Sequence, residues 1–381
     1  MARLNRRKWL ATTSHWVAAP AAFWWSEAAF GQVPAGIPAA DSPKATPNPP
    51  KAPKKPAADP YADAKFVPGE PPLPTKGAFT IAVLPDTQNY SEKHPKTFHA
   101  QTEWILAQRE PRNIAAVLHL GDITNRNSRP EWEVAQAAMN KLRGNVPVGM
   151  VPGNHDYSKG GGCQDRTTLL NEYFMVKEWS GLPHWGGTYD QESDKWENNY
   201  QLFEAAGRKF LILGLEFGPR ADVVRWANEV AAKHHDREVI LITHAYMYFD
   251  ETRYDWKKYA KKQAWNPHAY GVAQATNDDV RDGEELWNDL VARHKNFIMT
   301  VNGHVLGDGL GQLTSQTPGG RDVPQMLVNF QMKPKGGDGW LRLIEMRDDG
   351  TLATYDYSPT RNECNASGQN QFELKLSAIG G

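Results

Sequence analysis

Met150-Val-Pro-Gly-Asn-His-Asp-Tyr157 is the stretch on which the reading of this chain turns. An apolar run over residues 146–151 leads into it with the composition of a buried strand. Gly153 then lets the backbone turn sharply. Asn154 offers an amide oxygen, His155 a ring nitrogen or a proton, and Asp156 a carboxylate. Alone, Gly-Asn is also ordinary turn chemistry. The same grammar recurs outward along the chain. Residues 79–85 run into Asp86-Thr-Gln88, and residues 114–120 into Gly121-Asp122. Residues 238–243 run into His244, and residues 297–302 into Gly303-His304. Open α/β sheets form their sites in the crevice outside the carboxyl ends of strands. Five such ends predict one crevice lined by metal-type ligands.

Helical spacing occurs around Phe98, Thr102, Ile105 and Leu106, and around Val223, Ala227, Val230 and Ala231. It recurs around Trp132, Ala135, Met139 and Leu142, where Ser128-Arg-Pro-Glu131 has the pattern of a capping box, and around Leu286, Trp287, Leu290 and Val291. Strand-like runs alternate with these, and residues 325–331, 340–346 and 351–357 close the domain as strands. Alternation followed by a strand-rich tail predicts a layered α/β domain with mixed sheets. Two long stretches, residues 158–199 and 249–282, hold too many aromatics for disorder and are expected to fold over the crevice. The formal net charge of −1 gives no reason to expect a stable nucleic-acid complex. Most of the 14 tryptophans are expected in the core, with a few placed to stack on a substrate ring. The two cysteines, Cys163 and Cys364, lie far apart outside any metal spacing, and the sequence leaves open whether export would join them in a disulfide.

Residues 1–31 read as a leader. Arg6-Arg7-Lys-Trp-Leu10 precedes an acid-free, mostly apolar stretch and resembles a twin-arginine export signal. Residues 32–76 are Pro/Ala/Lys-rich, hold about half of the 27 prolines, and read as a disordered linker. Residues 77–381 are left for the folded domain. The protein is therefore expected to meet an export machinery and to work in the periplasm or outside the cell. The sequence leaves its oligomeric state open.

In order and in most identities, these motifs resemble the calcineurin-like metallophosphoesterase superfamily over roughly residues 78–358. Its usual signature runs Asp-x-His, Gly-Asp, Gly-Asn-His-Asp/Glu, a lone His, then Gly-His-x-His. Leu215-Glu-Phe-Gly-Pro-Arg220, Gly303-His-Val-Leu-Gly-Asp-Gly309 and Gly337-Asp-Gly-Trp-Leu-Arg342 resemble a bacterial branch with Asp-x-Gln in place of Asp-x-His. The resemblance implies two packed mixed β-sheets flanked by α-helices and two divalent metal ions. It assigns Asp122 as their bridge, with Asn154, His244 and His304 holding Mn, Fe or Zn. The other site departs from the pattern, because Gln88 and Leu306 stand where histidines are usual. Asp86 and Gln88, with Asp122 and water, would hold a weaker Mn or Mg. Asp308 reads as a turn residue. The resemblance makes His155 the group that contacts the phosphate and helps the leaving group, with Asp156 holding its ring. Asn125 reads equally as a phosphate donor or a turn residue, Arg126 and Arg129 as surface residues, and His119 and Glu216 as core or support.

The implied activity is hydrolysis of a small-molecule phosphomonoester or phosphodiester by a metal-activated hydroxide, without a covalent enzyme intermediate. Two alternatives remain open: a non-catalytic envelope-binding protein on the same scaffold, and a nucleotide-type pyrophosphatase.

Overall fold

Phe79–Leu84 shows how the apolar runs become layers. In the computed structural model, which describes residues 59–377, all six of its residues are buried. Ile81 and Val83 enter one apolar cluster, while Ala82 and Leu84 enter another, as the period of two requires. Arg208–Leu215 divides likewise: Phe210 and Ile212 join the first cluster, while Leu211, Leu213 and Leu215 join a third. In Glu238–Thr243, Ile240 and Ile242 face inward and Val239 and Leu241 outward. Strands buried on both faces read as continuous apolar runs, which is why the sequence displayed them so plainly.

The first cluster is the interface between two mixed sheets. Edge to edge, the first sheet runs Phe66–Pro68, Glu363–Asn365, Thr351–Ser358, Leu341–Met346, Phe79–Leu84, Ile114–His119 and Val148–Met150. Glu373–Lys375 also pairs with Thr351–Ser358. The second runs Leu310–Gln316, Asp322–Val328, Phe297–Asn302, Glu238–Thr243, Arg208–Leu215, Asn199–Ala205 and Trp185–Thr188. Phe79–Leu84, Ile114–His119 and Val148–Met150 are parallel to one another, as are Arg208–Leu215, Glu238–Thr243 and Phe297–Asn302. Helices Pro95–Ala107 and Arg129–Met139 cover the first sheet, and Ala221–Lys233 covers the second. This is the expected architecture of two packed mixed sheets with helices outside.

Three expectations change. Ser128 caps nothing with its side chain; Glu131 reaches back to the Arg126 amide instead, at 2.8 Å. The reciprocal box sits at Asp282 and Glu285, where Asp282 Oδ1 accepts the Glu285 amide and Glu285 Oε2 the Asp282 amide. The second change is the domain boundary, since residues 59–76 are part of the fold and not a free tether. Phe66–Pro68 pairs with Glu363–Asn365, the Tyr61 hydroxyl accepts from Trp340 Nε1 at 2.9 Å, and Thr75 is held by Glu345. Tyr61 and Phe66 pack their rings against each other and against the buried Trp340, contacts that a proline-rich composition concealed. The leader and residues 32–58 lie outside the described residues. Third, residues 158–199 do not cover the crevice as a whole: Trp179 and Trp196 are core residues 4.8 Å apart, packed with Phe174. Both cysteines are free and buried.

Candidate metal centre

Asp86, Asp122 and Asn154 follow three neighbouring parallel strands of one sheet, and His244 and His304 follow two of the other. The sandwich brings the five ends together. One ligand atom from each of Asp122, His244 and His304 lies within 4.8 Å of the other two, and all three residues are buried. His244 Nε2 is 3.1 Å from Asp122 Oδ1 and 4.0 Å from Asp86 Oδ1, yet it makes no hydrogen bond of acceptable direction. These atoms converge on shared space instead of bonding to each other. His244 Nδ1 donates to the Leu120 carbonyl at 2.7 Å, and His304 Nε2 to the Trp265 carbonyl at 2.8 Å. In each ring, fixing one nitrogen leaves the other available to a cation.

Two orphaned oxygens test whether metal fits. Asn154 Oδ1 and Gln88 Oε1 are buried with no hydrogen-bond partner. The Gln88 amide nitrogen lies 3.5 Å from Asn125 Oδ1, and the residue lines the cleft. A buried acceptor without a donor is costly unless a cation or water satisfies it. Electrostatics agree. Burial pushes the Asp86 carboxyl well above its ordinary value. Burial penalises the Asp122 carboxylate too, but His244 and His155 outweigh it and hold Asp122 below its usual range. Burial lowers His244, but Asp122 and Asp86 outweigh that and raise it to about 9, whereas burial and His244 push His304 down to about 3. Two buried carboxylates thus draw in positive charge, and a divalent ion competes with a proton for that place.

The motif glycines are there for space. A Cβ on Gly153 would lie 2.2 Å from Asp122 Oδ1, and one on Gly303 2.3 Å from Asp86 Oδ2. The His304 amide donates to Asp86 at 3.1 Å, and the His155 amide to Asp122 Oδ1 at 3.0 Å. Each motif therefore braces the carboxylate of another strand.

His155 lines the cleft, but its expected partner does not hold it. Its Nδ1 donates to the Asn125 carbonyl at 2.8 Å. Asp156 instead accepts from the amides of Gly153, Ile123 and Thr124 and from the Thr124 hydroxyl. Its carboxylate ties the Asp122 turn to the Asn154 turn, and burial raises its pKa to about 6. Leu306 lines the cleft, while Asp308 accepts the Leu310 amide at 3.1 Å and is a turn residue. Asn125 gives its side-chain amide to Glu92. Arg126 and Arg129 pair with Glu92 and Glu172 and stand outside the cleft. His119 bonds to Thr87 and Gly121, and Glu216 to Arg220, so both are support.

Two of the cleft walls, Trp265 and Tyr270, come from the stretch 249–282 that was expected to fold over the crevice, whereas Gln331, Met332 and Asn89 were missed. Together they line the cleft beside the candidate ligands, in a volume of about 200 Å³. Phe217 packs against both candidate ligand imidazoles, 5.9 Å from His244 and 5.3 Å from His304. None of these positions carries a periodic signal. The loop over residues 249–282 is pinned by His268, whose ring nitrogens meet Asp278 at 2.7 Å and Glu285 at 2.9 Å. A larger groove of about 590 Å³ shares Met332 with the cleft but, among the described residues, contains no comparable ligand cluster.

The model of the calcineurin-like phosphoesterase family matches residues 79–309. The uncharacterized protein YvnB of Bacillus subtilis (strain 168) is 29% identical over 293 residues, which are 75% of this chain. The match spans only 20% of YvnB. Among solved structures, GAP50, the anchor in the inner membrane complex of Plasmodium, gives a TM-score of 0.43 at 11% identity, covering 78% of this chain and 88% of that one. Purple acid phosphatase PPD1 of yellow lupin (Lupinus luteus) gives 0.46 at 12% identity, covering 80% and 55%. Haemophilus influenzae NAD nucleotidase gives 0.38 at 14% identity, covering 78% and 50%.

Proposed function

This chain belongs to the calcineurin-like phosphoesterase family, and from that premise we propose that it is a metal-dependent hydrolase of phosphate esters. The observation that carries the reading is the convergence of Asp122, His244 and His304 with the unpartnered oxygens of Asn154 and Gln88. Asp122, Asn154, His244 and His304 would hold a transition ion such as Mn, Fe or Zn. Asp86, Gln88 and a shared Asp122 would hold a harder, weaker ion such as Mn or Mg. Divalent ions so placed supply a water acidified toward neutral pH and positive charge against phosphate oxygens. The chain's own part is positioning and proton transfer. The Asn125 carbonyl accepts a hydrogen bond from His155 Nδ1, which leaves Nε2 to meet the leaving oxygen. Asp156 fixes the two turns that set the distance between Asp122 and His155.

The test is metal content by elemental analysis, beside hydrolysis of an aryl phosphate and its diester as Mn²⁺ is added. Phosphate ester cleavage that follows metal loading supports the reading. A binding protein on this scaffold would hold metal and release no product. Export belongs to the same proposal, and its support is the leader-like sequence of residues 1–31. Replacing Arg6 and Arg7 by lysine should retain the protein in the cytoplasm, and unaltered export would refute the twin-arginine route.

A further inference from the structure

The rim of the cleft carries more apolar surface than its chemistry requires. Six large apolar side chains are exposed among the described residues, and three of them gather here. Trp265 and Met332, 39% and 50% exposed, line the cleft, and Phe249 lies over Gly307, next to the cleft residue Leu306. Exposed apolar side chains clustered at one opening mark a binding surface.

Trp265 is the most informative of the three. Its φ of 63° puts a bulky residue in left-handed backbone, a conformation that persists only where surrounding contacts enforce it. Those contacts are present. Its carbonyl accepts from His304, the preceding Ala264 carbonyl accepts from the Tyr254 hydroxyl at 2.9 Å, and the following Asn266 donates to Asp282 at 3.2 Å. The indole itself joins none of the three apolar clusters of the fold. A strained backbone therefore presents an unpacked aromatic face beside the ligand His304. Charge points the same way. Among the described residues no lysine or arginine lines the cleft, and nearby Arg126 is paired with Glu92. A phosphate here would meet the metal ions, His155 and the neutral amides of Asn89 and Gln331, with no side-chain cation to claim a further charged oxygen.

We infer that the substrate is a phosphodiester carrying an aromatic ester group, which stacks on Trp265 and is flanked by Leu306 and Met332. Trp265 is then a specificity-determining residue, and the inference rests on the phosphoesterase reading above. The diester replaces the second charge of a monoester with a neutral group, and the apolar rim receives that group.

The test uses the full chain loaded with Mn²⁺ and titration calorimetry with diphenyl, dimethyl and phenyl phosphate. Diphenyl phosphate should bind about 10-fold tighter than either of the others, the scale of one ring stacked on an aromatic platform. Trp265→Ala should weaken diphenyl phosphate about 10-fold and leave dimethyl phosphate within about 2-fold, while Trp265→Phe keeps most of the affinity. Elemental analysis reports whether Trp265→Ala still holds its metal; if it does not, the Trp265→Phe and Met332→Ala variants decide the matter. Phenyl phosphate binding tighter than diphenyl phosphate, or a loss shared equally by the dimethyl ester, would overturn the inference. Hydrolysis of bis(p-nitrophenyl) phosphate is read on the same samples. Turnover with no aromatic preference refutes this inference alone. The expected binding pattern without turnover upholds it and refutes the hydrolase reading.

Discussion

Gly153→Ala isolates the packing of the metal centre from every other property of its loop. Gly153 has φ −96° and ψ −176°, extended backbone that alanine adopts freely. The substitution therefore adds one methyl group and no backbone strain. That methyl would lie 2.2 Å from Asp122 Oδ1 and 2.3 Å from the Asp122 amide nitrogen. Ordinary van der Waals separation starts at 3.4 Å, so roughly 1 Å of movement is required. Asp122 has little freedom to give way. Its φ is 48°, its carboxylate accepts the His155 amide, and its neighbours Ile123 and Thr124 are fastened to Asp156. Overpacking a filled site costs about 1–3 kcal/mol, and a misplacement of about 1 Å at a reacting centre costs on the order of 10²-fold in rate. Gly153→Ala should thus lose about 1–3 kcal/mol of stability, most of its bound metal and at least about 10²-fold in turnover. Gly207→Ala is the control. With φ 72°, after Ala206 at φ 49° in a hairpin turn, Gly207 has nothing within 4 Å of an added Cβ. It should cost about 1 kcal/mol and leave activity alone. Thermal unfolding, elemental analysis and hydrolysis of an aryl phosphodiester read all three quantities. A Gly153→Ala protein with native metal content and turnover would refute the reasoning.

His155→Ala should lower turnover by about 10²–10⁴-fold with metal content unchanged; loss of metal would make His155 a ligand. Asp86→Ala should abolish stimulation by added Mn²⁺ while sparing the tightly held ion, whereas His304→Ala should lose that ion; elemental analysis showing two tight ions in the unaltered protein would contradict the asymmetry. The His268 latch predicts a pH dependence. Burial lowers the pKa of this imidazole, but Glu285 and Asp278 outweigh it and raise it above the ordinary value. Stability from a raised group is complete below about pH 6.5 and is lost as pH rises through the raised value. Because Asp278 is largely exposed, the latch is worth about 1–2 kcal/mol, and His268→Gln should lower the melting temperature at acid pH with a difference that closes toward alkaline pH. A difference constant across pH would show that charge has no part in it.

The sequence by itself determined the layers and the candidate ligands. Strands buried on both faces appear as unbroken apolar runs, and five of them ended in Asp86, Asp122, Asn154, His244 and His304. The rule that parallel sheets place their sites at strand ends then predicted one crevice without any coordinates. What the sequence could not supply is which group each polar side chain meets, because those meetings cross the chain. The family resemblance made Asp156 the expected support for the His155 ring. In the fold its carboxylate turns to backbone amides over thirty residues upstream, and the Asn125 carbonyl takes the imidazole. The same holds for the walls. The aromatic content of residues 249–282 placed Trp265 over the crevice, but Met332 lies on an irregular segment with no periodicity to read, and only the tertiary structure sets Trp265 against His304 and Met332 in the same cleft. Residues 59–76 show the converse. Their composition predicts an extended chain, but Tyr61 and Phe66 find Trp340 about 280 residues away, and contacts that distant leave no trace in local composition.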